Sequence, residues 1–596
     1  MGEFSNLGRT DTTWQVTDEV AYAFGSHAVK LGGEFRRAKL FVYYLREARG
    51  AFYWDGTAGP WANDASFSTP EKALADFLGG CIAPGRGVIA TGDPRRNWFV
   101  NSLYGYVQDT WQANPRLSLN LGLRYDYNGP FFDPTHTIST FLPGFTPTGL
   151  AFPGQPGSPI NSLYPKDLDN FSPRFGFAFS PEKEGKTVIR GAWGLYHDVP
   201  NGNLFMDNRG ATDAARSASR NPGGPNPVFT ITNQSQITVV AGQYLFGSAT
   251  PVPPFGAYGV NQDLRSPYVQ NFSLNVQHRL TPSAILAIGY VGSQGRKLLI
   301  TRNENQPLPS PTPYADFQAA RPYASLFPQF AGITELSSSG DSHYNSLQVS
   351  LRSTSWHGFQ GQIAYTLAHG RDEVSVARNN WPVDSNDVRG DWGNADFDTR
   401  HNLKGYFIFD VPQLVHSLPR LTKGWQINGL FSYDSGFPFS VVSGQGDSHT
   451  RSATSASAVL YDDRADQVGN PFSGIVQPAQ ARGLLTNGVR WFNAAAFAIN
   501  APGTFGNTKR NQFYGPLFKT IDLSVFKNTP ITEKIIAQVR IEIFNIFNIL
   551  NLARPDLCVC DGGSFGLISG TVHAGDAPGI GSGEPLNVQL GLKLIW

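Results

Sequence analysis

Charged residues are scarce in this chain of 596 residues, at 16% of the total. Soluble domains usually carry roughly 25% charged residues, so the composition argues against an ordinary soluble globular protein. Long apolar runs are also missing, because no segment approaches the roughly 18 consecutive apolar residues that a membrane-spanning helix requires. The formal net charge is only +1, and no basic cluster is present. These absences exclude helical membrane spans and exclude nucleic acid as an expected partner.

Cysteine is almost absent as well, with three residues in the whole chain. Cys558 and Cys560 share one predicted loop, and Cys81 lies far away in another. This placement allows one disulfide between the two loops, leaves the pairing open, and offers no zinc site with ligands at usable spacing. The sequence also lacks a Gly-x-Ser-x-Gly nucleophile elbow, a His-Glu-x-x-His zinc motif and a phosphate-binding glycine-rich loop. We therefore expect no enzymatic activity and no cofactor.

Residues 586–596, at the end of the chain, contain the clearest pattern in the sequence. Apolar and polar side chains alternate there until Ile595. A period of two predicts a β-strand with one apolar and one polar face. The apolar set consists of Leu586, Val588, Leu590, Leu592, Leu594 and Trp596.

The same alternation recurs along the chain and predicts fifteen strands. They are residues 13–24, 27–44, 98–111, 115–127, 171–181, 186–196, 270–280, 283–294, 343–353, 358–370, 400–411, 423–434, 519–527, 535–548 and 586–596. Short connections alternate strictly with long ones, as in outer-membrane β-barrels with short periplasmic turns and long extracellular loops. A soluble β-sandwich would also alternate its side chains, but it gives no reason for loop lengths to segregate. The sequence therefore predicts an all-β fold, a transmembrane antiparallel β-barrel.

The direction of the strands indicates that the barrel in residues 1–596 is incomplete at its N-terminal side. The first and last predicted strands run the same way, which gives an odd count, whereas bacterial single-chain barrels have even counts. Residues 1–10 also lack the charged and apolar regions of an export signal. We expect at least one further strand and a signal peptide to be missing.

Several segments resemble the barrel of TonB-dependent transporters, in particular the Oar-like group. The most recognisable is the hairpin at 102–127, with the motifs YVQD at 106–109 and GLRYD at 122–126. Further similar segments follow in consistent order between residues 10 and 596: SPRFG at 172–176, GYVGS at 289–293, FDTRH at 397–401, SGFPF at 435–439 and EIFNIFN at 542–548. The last strand resembles the closing strand of bacterial outer-membrane barrels, where a terminal aromatic strand is the signal for the barrel-assembly machinery. By that resemblance, the signal residues are Leu590, Leu592, Leu594 and Trp596.

The resemblance implies a barrel of 22 strands, so about seven strands would be absent here. It also implies an N-terminal plug domain and a TonB box, and no segment of this sequence is predicted to be either one. In the family, the TonB complex drives import by acting on the plug, so TonB would be a partner only through a domain not seen here. The implied function is the barrel part of an outer-membrane transporter that binds a small molecule or oligosaccharide at its extracellular loops and imports it through the lumen. The implied location is the lipid of the cell outer membrane.

Two other functions fit the same residues. A passive channel or surface adhesin without a plug would use the same barrel. A secreted carbohydrate-binding β-protein would account for the alternating side chains of the strands. It would not explain why short and long connections alternate.

Carboxylates are concentrated in the segment 384–401, which suggests a calcium site because calcium prefers oxygen ligands. The candidate ligands are Asp384, Asp387, Asp391, Asp396 and Asp398. Their spacing does not match a twelve-residue calcium loop. The alternative is a solvated rim loop in which Arg400 forms an ion pair with a nearby aspartate.

Charged residues on the polar side of the predicted strands are candidates for the lining of the lumen. They are Arg124, Asp126, Arg174, Arg190, Arg279, Arg352, Arg540 and Glu542. They would select an anionic or polyhydroxylated substrate, or alternatively form a salt-bridge lattice that supports the wall or contacts a plug.

Aromatic residues reach 13% of the chain and suggest two roles. Trp residues in predicted loops, such as Trp54, Trp61, Trp381, Trp392 and Trp491, could stack on sugar rings. Aromatic residues near strand ends are predicted to form girdles at the membrane interface. The girdle candidates are Trp14, Tyr104, Tyr106, Trp193, Tyr433 and Trp596.

Overall fold

The computed structural model describes residues 7–44, 54–81, 95–144, 148–206, 208, 255–376, 381–413, 419–444, 447–450, 463–474, 488–573 and 585–596. Within these ranges, fifteen long strands belong to one sheet, which we call the wall. No helix in this part of the chain is long and apolar enough to cross a membrane.

The wall strands are numbered β1 to β15 in chain order. Their bounds are Leu7–Phe24 (β1), His27–Tyr44 (β2), Arg95–Asn114 (β3), Leu117–Asn128 (β4), Phe171–Phe179 (β5), Thr187–His197 (β6), Tyr268–Thr281 (β7), Ala284–Asn303 (β8), Phe330–Trp356 (β9), Phe359–Asp372 (β10), His401–Asp410 (β11), Trp425–Asp434 (β12), Phe518–Pro530 (β13), Ile536–Phe544 (β14) and Asn587–Ile595 (β15).

Shorter elements lie in the long connections, apart from a helix of one turn at Pro419–Thr422. The short strands are Thr140–Phe141, Leu150–Ala151, Phe255–Val260, Gly393–Asn394, Pro438–Phe439, Asp466–Gln467, Val489–Arg490, Phe497–Ala498, Phe513–Tyr514 and Leu567–Ile568. The remaining helices are Thr69–Gly79 and the 3₁₀ turns Gly202–Phe205, Val388–Asp391, Ala494–Ala496 and Val559–Ser564.

The wall is an antiparallel meander in which each strand from β2 to β14 pairs with the wall strand before it and the wall strand after it. The pairing of β1 with β2 runs without a register shift from Leu7 opposite Tyr44 to Phe24 opposite His27. Two of the short strands join the same sheet, which raises it to seventeen strands. All fifteen predicted strands are present, and their short and long connections alternate as predicted. The prediction of an all-β antiparallel fold is confirmed.

The largest extensions beyond the predicted bounds occur in two wall strands. The sequence predicts 283–294 and 343–353, whereas β8 reaches Asn303 and β9 begins at Phe330. The register shifts between Gly295 and Leu298, and again between Leu298 and Ile300. Bulges of this kind break the period of two, so the alternation cannot reveal the upper half of this hairpin. The short strand Phe255–Val260 pairs in parallel with the start of β9 and supports the extension.

The register sorts the side chains of the wall onto two faces, because direct partners in an antiparallel pair lie on the same face. Leu590 of β15 pairs with Ile541 of β14, which pairs with Val525 of β13. The adjacent row joins Gln589 to Glu542. We call these the apolar face and the polar face.

The apolar face is exposed rather than packed against other protein. Leu590 and Leu592 are 75% and 73% exposed, and Trp596 is 90% exposed. Contiguous apolar surface of this extent is rare on soluble monomers and marks a membrane or protein contact. Leu592 and Leu594 pair with Val539 and Ala537 on the same face, which fits the pattern predicted for an assembly signal. Recognition of that signal by the assembly machinery stays a prediction.

The two outermost strands of the wall each have one neighbour among the described residues. β1 pairs with β2, and β15 pairs with β14. One edge of β1 and one edge of β15 therefore carry backbone groups that no described strand satisfies.

The packed apolar core lies in the long connections and the strand ends next to them, not beneath the sheet. One cluster contains Trp98, Phe131, Leu163 and Phe205, and Trp98 is 1% exposed. The helix Thr69–Gly79 belongs to the same layer, and it begins at a capping box formed by Ser68 and Glu71. Because these connections share one end of the wall, they form a folded layer there. We call this end the loop rim.

Candidate ligand-binding cavity

A large cavity lies at the loop rim and has a volume of about 1280 Å³. Three long connections line it: residues 373–400 between β10 and β11, 435–517 between β12 and β13, and 545–586 between β14 and β15. We call it the rim cavity. Small-molecule sites usually occupy roughly 300–1,000 Å³, so the rim cavity is large enough for a sizeable ligand.

The rim cavity is continuous with the polar face of the wall. Lys404 of β11 and Asp434 of β12 line it, and their side chains form an ion pair at 3.4 Å. Asn402 also lines it and is the direct partner of Asp434 in the register. A molecule in the rim cavity therefore contacts both the long connections and the upper polar face.

A cluster of phenylalanine side chains holds two of these connections together. Phe492 packs against Phe497 and Phe565, with ring centroids 5.3 and 5.0 Å apart. Phe513 and Phe439 belong to the same buried cluster. Short ladders add backbone hydrogen bonds, as between Val489–Arg490 and Leu567–Ile568. The aromatic packing and the ladders give the cavity a fixed wall.

A buried arginine joins the other pair of connections. Arg510 Nη1 donates to Asp372 Oδ1 at 2.6 Å, and its Nη2 donates to Asp396 Oδ1 at 2.9 Å and to Ser375 Oγ at 2.8 Å. Arg510 is 7% exposed and Asp372 is 4% exposed. A buried charge is tolerated when it is paired and fully hydrogen-bonded, and Arg510 meets this condition through residues more than a hundred positions away.

Most charges that line the rim cavity already have partners. Arg464 Nη2 lies 3.2 Å from Asp391 Oδ1, and Lys404 and Arg510 are paired as described above. Arg554 differs, because its exposed side chain makes no hydrogen bond or ion pair with any described residue. Arg554 is therefore the lining arginine that is available to an anionic ligand.

The five aspartates predicted as calcium ligands lie in this region, but their carboxylates accept hydrogen bonds from different groups. Asp391 accepts from Arg464, and Asp396 accepts from Arg510. Asp398 accepts from the Tyr514 hydroxyl at 2.8 Å. Asp384 and Asp387 accept from backbone N–H groups of their own turn.

The alternative ion pair from Arg400 is present, at 3.6 Å from Asp398. No group of three carboxylates that could hold a metal ion occurs in the described ranges. Calcium binding by these five residues stays a prediction.

The cysteines do not form the disulfide between two loops that the sequence allows. Cys558 and Cys560 are bonded to each other within one connection. Cys81 is buried at the end of the helix Thr69–Gly79 and forms no disulfide with a described residue. The physical reason is proximity: the Cα atoms of Cys558 and Cys560 are 5.1 Å apart, within the range that a disulfide requires.

All eight charged residues predicted to line a lumen lie on the polar face. They are Arg124, Asp126, Arg174, Arg190, Arg279, Arg352, Arg540 and Glu542. Some support the wall, since Arg124 Nε donates to Asp126 Oδ1 at 2.6 Å and Arg190 donates to Gln277. The side chains of Arg279 and Arg352 make no hydrogen bond or ion pair with described residues. That this face lines a lumen stays a prediction.

The aromatic residues predicted to form membrane-interface girdles lie on both faces of the wall. Trp193 and Tyr433 lie on the apolar face, where a girdle needs them. The girdle prediction is wrong for Tyr104 and Tyr106, because the register places them opposite Asp126 and Arg124 on the polar face. The alternation in β3 is as predicted, but Tyr104 and Tyr106 lie on the face opposite to the predicted one.

Among the loop aromatics, Trp381 lines the rim cavity. Trp61 donates to Asp76 and Trp491 donates to the Tyr514 carbonyl, so both of these indoles have structural partners.

Three arginines are among the rim-cavity residues that were not candidates from the sequence. Arg464 and Arg510 lie in a long connection with no periodic pattern, and their carboxylate partners are remote in sequence. No sequence signal identifies them. A signal did exist for Arg554, which is the single charged residue in the otherwise uncharged stretch 549–555.

A carboxyl pair lies in the same loop layer, above β8 and β9. Glu304 follows the end of β8, and Glu335 near the start of β9 accepts from Arg302 Nε at 2.6 Å. Burial, and then the charge of Glu335, raise the pKa of Glu304 to about 7. The Glu304 backbone N–H donates to the Ile333 carbonyl at 2.9 Å, so its side chain lies where the two strands are joined.

Comparison with known proteins gives a family. The sequence model of the family described as outer membrane beta barrel domain matches residues 1–576. No curated protein sequence matches the chain.

Solved outer-membrane proteins resemble the chain at low sequence identity. The outer membrane transporter YddB from Escherichia coli is 10% identical, with a TM-score of 0.48, over 99% of this chain and 54% of YddB. The ferric-catecholate import receptor Fiu from E. coli is 12% identical, with a TM-score of 0.41, over 99% of this chain and 55% of Fiu. The FrpB iron transporter from Neisseria meningitidis is 9% identical, with a TM-score of 0.42, over 98% and 55%. The chain spans about half the length of these proteins.

Replacing Arg510 with methionine is expected to destabilise the loop layer by about 3–5 kcal/mol, because the buried Asp372 carboxylate loses its cation. Hydrogen exchange in the native protein measures this as lost protection in residues 373–376 and 488–517. The exposed neighbour Lys509 provides the control, and Lys509→Met is expected to change protection by less than about 0.5 kcal/mol. Equal protection in the two variants would contradict the role given to Arg510.

The raised pKa of Glu304 predicts that the β8–β9 hairpin is weakened by alkali. The folded state holds this proton more tightly than the unfolded state. The stabilisation that protonated Glu304 gives to the folded hairpin is therefore complete below pH 4.5 and is lost as the pH rises through about 7. Glu304→Gln is expected to behave like the wild type at pH 5 and to be more stable at pH 8, by at most roughly 3 kcal/mol.

Hydrogen exchange of the Glu304 amide, corrected for its intrinsic pH dependence, measures the effect. Glu533→Gln in a short connection is the control. A wild-type protein whose protection is the same at pH 5 and pH 8 rules out the proposed titration.

Proposed function

The chain belongs to the outer-membrane β-barrel domain family, and we propose that it is the barrel part of a TonB-dependent transporter. It is a β-barrel protein of the cell outer membrane. In this proposal the loop rim is extracellular, a ligand binds in the rim cavity, and the polar face lines the path by which the ligand crosses the membrane.

The observation that carries the proposal is the continuity between the rim cavity and the polar face. Lys404 and Asp434 belong to both. A surface adhesin needs a binding site at its loops, but it does not need that site to open onto the polar side of the wall. A binding site placed at the entrance of a polar path is the arrangement that import requires.

The lining of the rim cavity supports an anionic or polyhydroxylated small molecule or oligosaccharide as the ligand. Arg554 offers a guanidinium that has no partner among the described residues, and a guanidinium binds carboxylate and phosphate groups with two parallel hydrogen bonds. Trp381 and Phe437 also line the cavity, and Phe437 is 60% exposed. Aromatic faces of this kind pack against the apolar faces of sugar rings.

The proposal includes further strands that complete the barrel. β1 and β15 each have one edge that pairs with no described strand, and such an edge would leave backbone N–H and C=O groups unsatisfied in hydrocarbon, where each costs several kcal/mol. Strands that pair with both edges remove this cost and close a lumen around the polar face. Energised import further requires a plug domain, and the TonB complex would be a partner only through that domain.

The proposal predicts that Arg554→Ala weakens ligand binding by about ten-fold or more, because a hydrogen bond to a charged group contributes roughly 1.5–3 kcal/mol. The purified protein in detergent is incubated with a mixture of anionic and neutral oligosaccharides, and native mass spectrometry identifies the members retained. Anionic members are expected to be retained, and their retention should fall in Arg554→Ala and in Trp381→Ala. Arg420→Ala, in the helix Pro419–Thr422 of a short connection, is the matched control.

Retention of no member of the mixture, or retention that survives both substitutions, would overturn the proposed site. Uptake of a retained compound by intact cells, measured with and without an uncoupler, then separates the two transport modes. Uptake that stops with the uncoupler supports the energised transporter, whereas uptake that continues identifies a passive channel.

A further inference from the structure

The rim cavity contains a sulfur pair that the proposed transport function does not use. Cys558 and Cys560 both line the cavity, and Val559 separates them in the sequence. Cys560 is exposed and Cys558 is partly buried. Their sulfur atoms are therefore accessible from the space where a ligand would bind.

The backbone holds this segment in a defined position. Val442 N donates to Leu557 O at 3.0 Å, and Val559 N donates to Val442 O at 2.9 Å. The two sulfurs also lie directly against the backbone of Gly444. A Cβ atom at that position would come within 2.3 Å of one sulfur and 2.4 Å of the other. The site is thus built on a second connection and does not depend on the disulfide for its shape.

A carboxylate completes a group of three ligand atoms. Asp561 Oδ1 lies 3.6 Å from Cys560 Sγ. The two sulfurs and an Asp561 oxygen all lie within 4.8 Å of one another, which is the one such grouping of His, Cys, Asp and Glu side chains in the described ranges. Zinc binds cysteine sulfur at about 2.3 Å and carboxylate oxygen at about 2.0–2.2 Å, usually with four ligands. Once the S–S bond is broken and the two sulfurs separate, the three side chains are close enough together to reach a single such ion.

A purely structural role explains the disulfide poorly. The stabilisation that a disulfide gives to the folded state grows with the length of the loop that it closes. Cys558 and Cys560 are separated by two positions, so the closed loop is nearly as short as one can be. The backbone hydrogen bonds to Val442 already fix the segment.

We infer that Cys558, Cys560 and Asp561 form a zinc-binding site that opens when the disulfide is reduced. Two molecules of a low-molecular-weight thiol supply two electrons and two protons. The S–S bond breaks, two protein thiols form, and the two thiol molecules become one disulfide. Zn²⁺ then displaces the two thiol protons and binds both thiolates and the Asp561 carboxylate. A fourth position faces the rim cavity and is open to water or to a donor atom of a ligand.

The inference does not depend on the transport function, because the ligand set is complete within one connection. The test uses the full chain in detergent. The protein is reduced with a phosphine, and the reductant is then removed under an inert atmosphere. Co²⁺ is added stepwise in place of Zn²⁺, because Co²⁺ bound to thiolates gives a charge-transfer absorption. One equivalent of Co²⁺ is expected to give this absorption after reduction and none before it. Added Zn²⁺ should abolish it.

Three variants identify the ligands. Cys558→Ser combined with Cys560→Ser should lose the absorption, and Asp561→Asn should weaken binding by about ten-fold or more. Cys81→Ser removes the buried cysteine outside the site and should bind as the wild type does. Circular dichroism of each variant checks that the β-structure is retained.

Three results would overturn the inference. A thiol count that does not rise by two on treatment with the phosphine means that the disulfide does not open. Absence of the absorption after complete reduction means that the thiols do not bind the metal together. Absorption that persists in the double cysteine variant places the metal elsewhere.

Discussion

Hydrogen bonding between the backbones of neighbouring strands is the constraint on which the rest of this structure depends. In hydrocarbon a spanning strand finds no water, so its N–H and C=O groups must be satisfied by other strands. The uninterrupted pairing of β1 with β2, over all of Leu7–Phe24, satisfies this requirement. The pairing also fixes the face of every side chain. A strand between lipid and a polar interior must therefore alternate, and a shift of one residue would reverse both faces.

This constraint explains why the protein has its packed core in an unusual place. A single-layered wall with lipid on one face and polar surroundings on the other has no interior to fill. The apolar packing that other folds place beneath a sheet is found here in the long connections, around residues such as Trp98 and Phe492. The connections can fold into a layer because their strands hold them side by side. The rim cavity, with the guanidinium of Arg554 and the sulfur pair in its lining, lies where that layer meets the polar face.

The parts of the structure that the sequence predicts are those governed by local alternation. The terminal strand is recognisable from residues 586–596 alone, since each leucine of the pattern reaches the same face whatever lies next to it. The charged residues of the polar face, such as Arg124 and Arg540, follow from the same rule. The upper part of the β8–β9 hairpin was missed because bulges near Leu298 interrupt the period.

The rim cavity could not be predicted, because it depends on contacts between connections. Arg510 and Asp372 are 138 positions apart, and neither residue carries a pattern that points to the other. The sulfur pair was visible in the sequence, but the choice between a bond to Cys81 and a bond within the pair depends on distance. The assignment of Tyr104 and Tyr106 to the membrane interface failed for a different reason. Aromatic residues suit both an interface and a polar lining, and only the register distinguishes the two.

One face of the wall is expected to meet lipid and the other to meet water. The most direct measurement places a single spin label in turn at each of the positions 347–352 of β9, in a variant whose three cysteines are replaced, reconstituted in lipid vesicles. Collision rates with oxygen and with a water-soluble nickel complex report the two environments. Oxygen maxima are expected at Leu347, Val349 and Leu351, and nickel maxima at the alternate positions. Uniform access of the nickel complex to all the positions, or access without a period of two, would contradict this expectation.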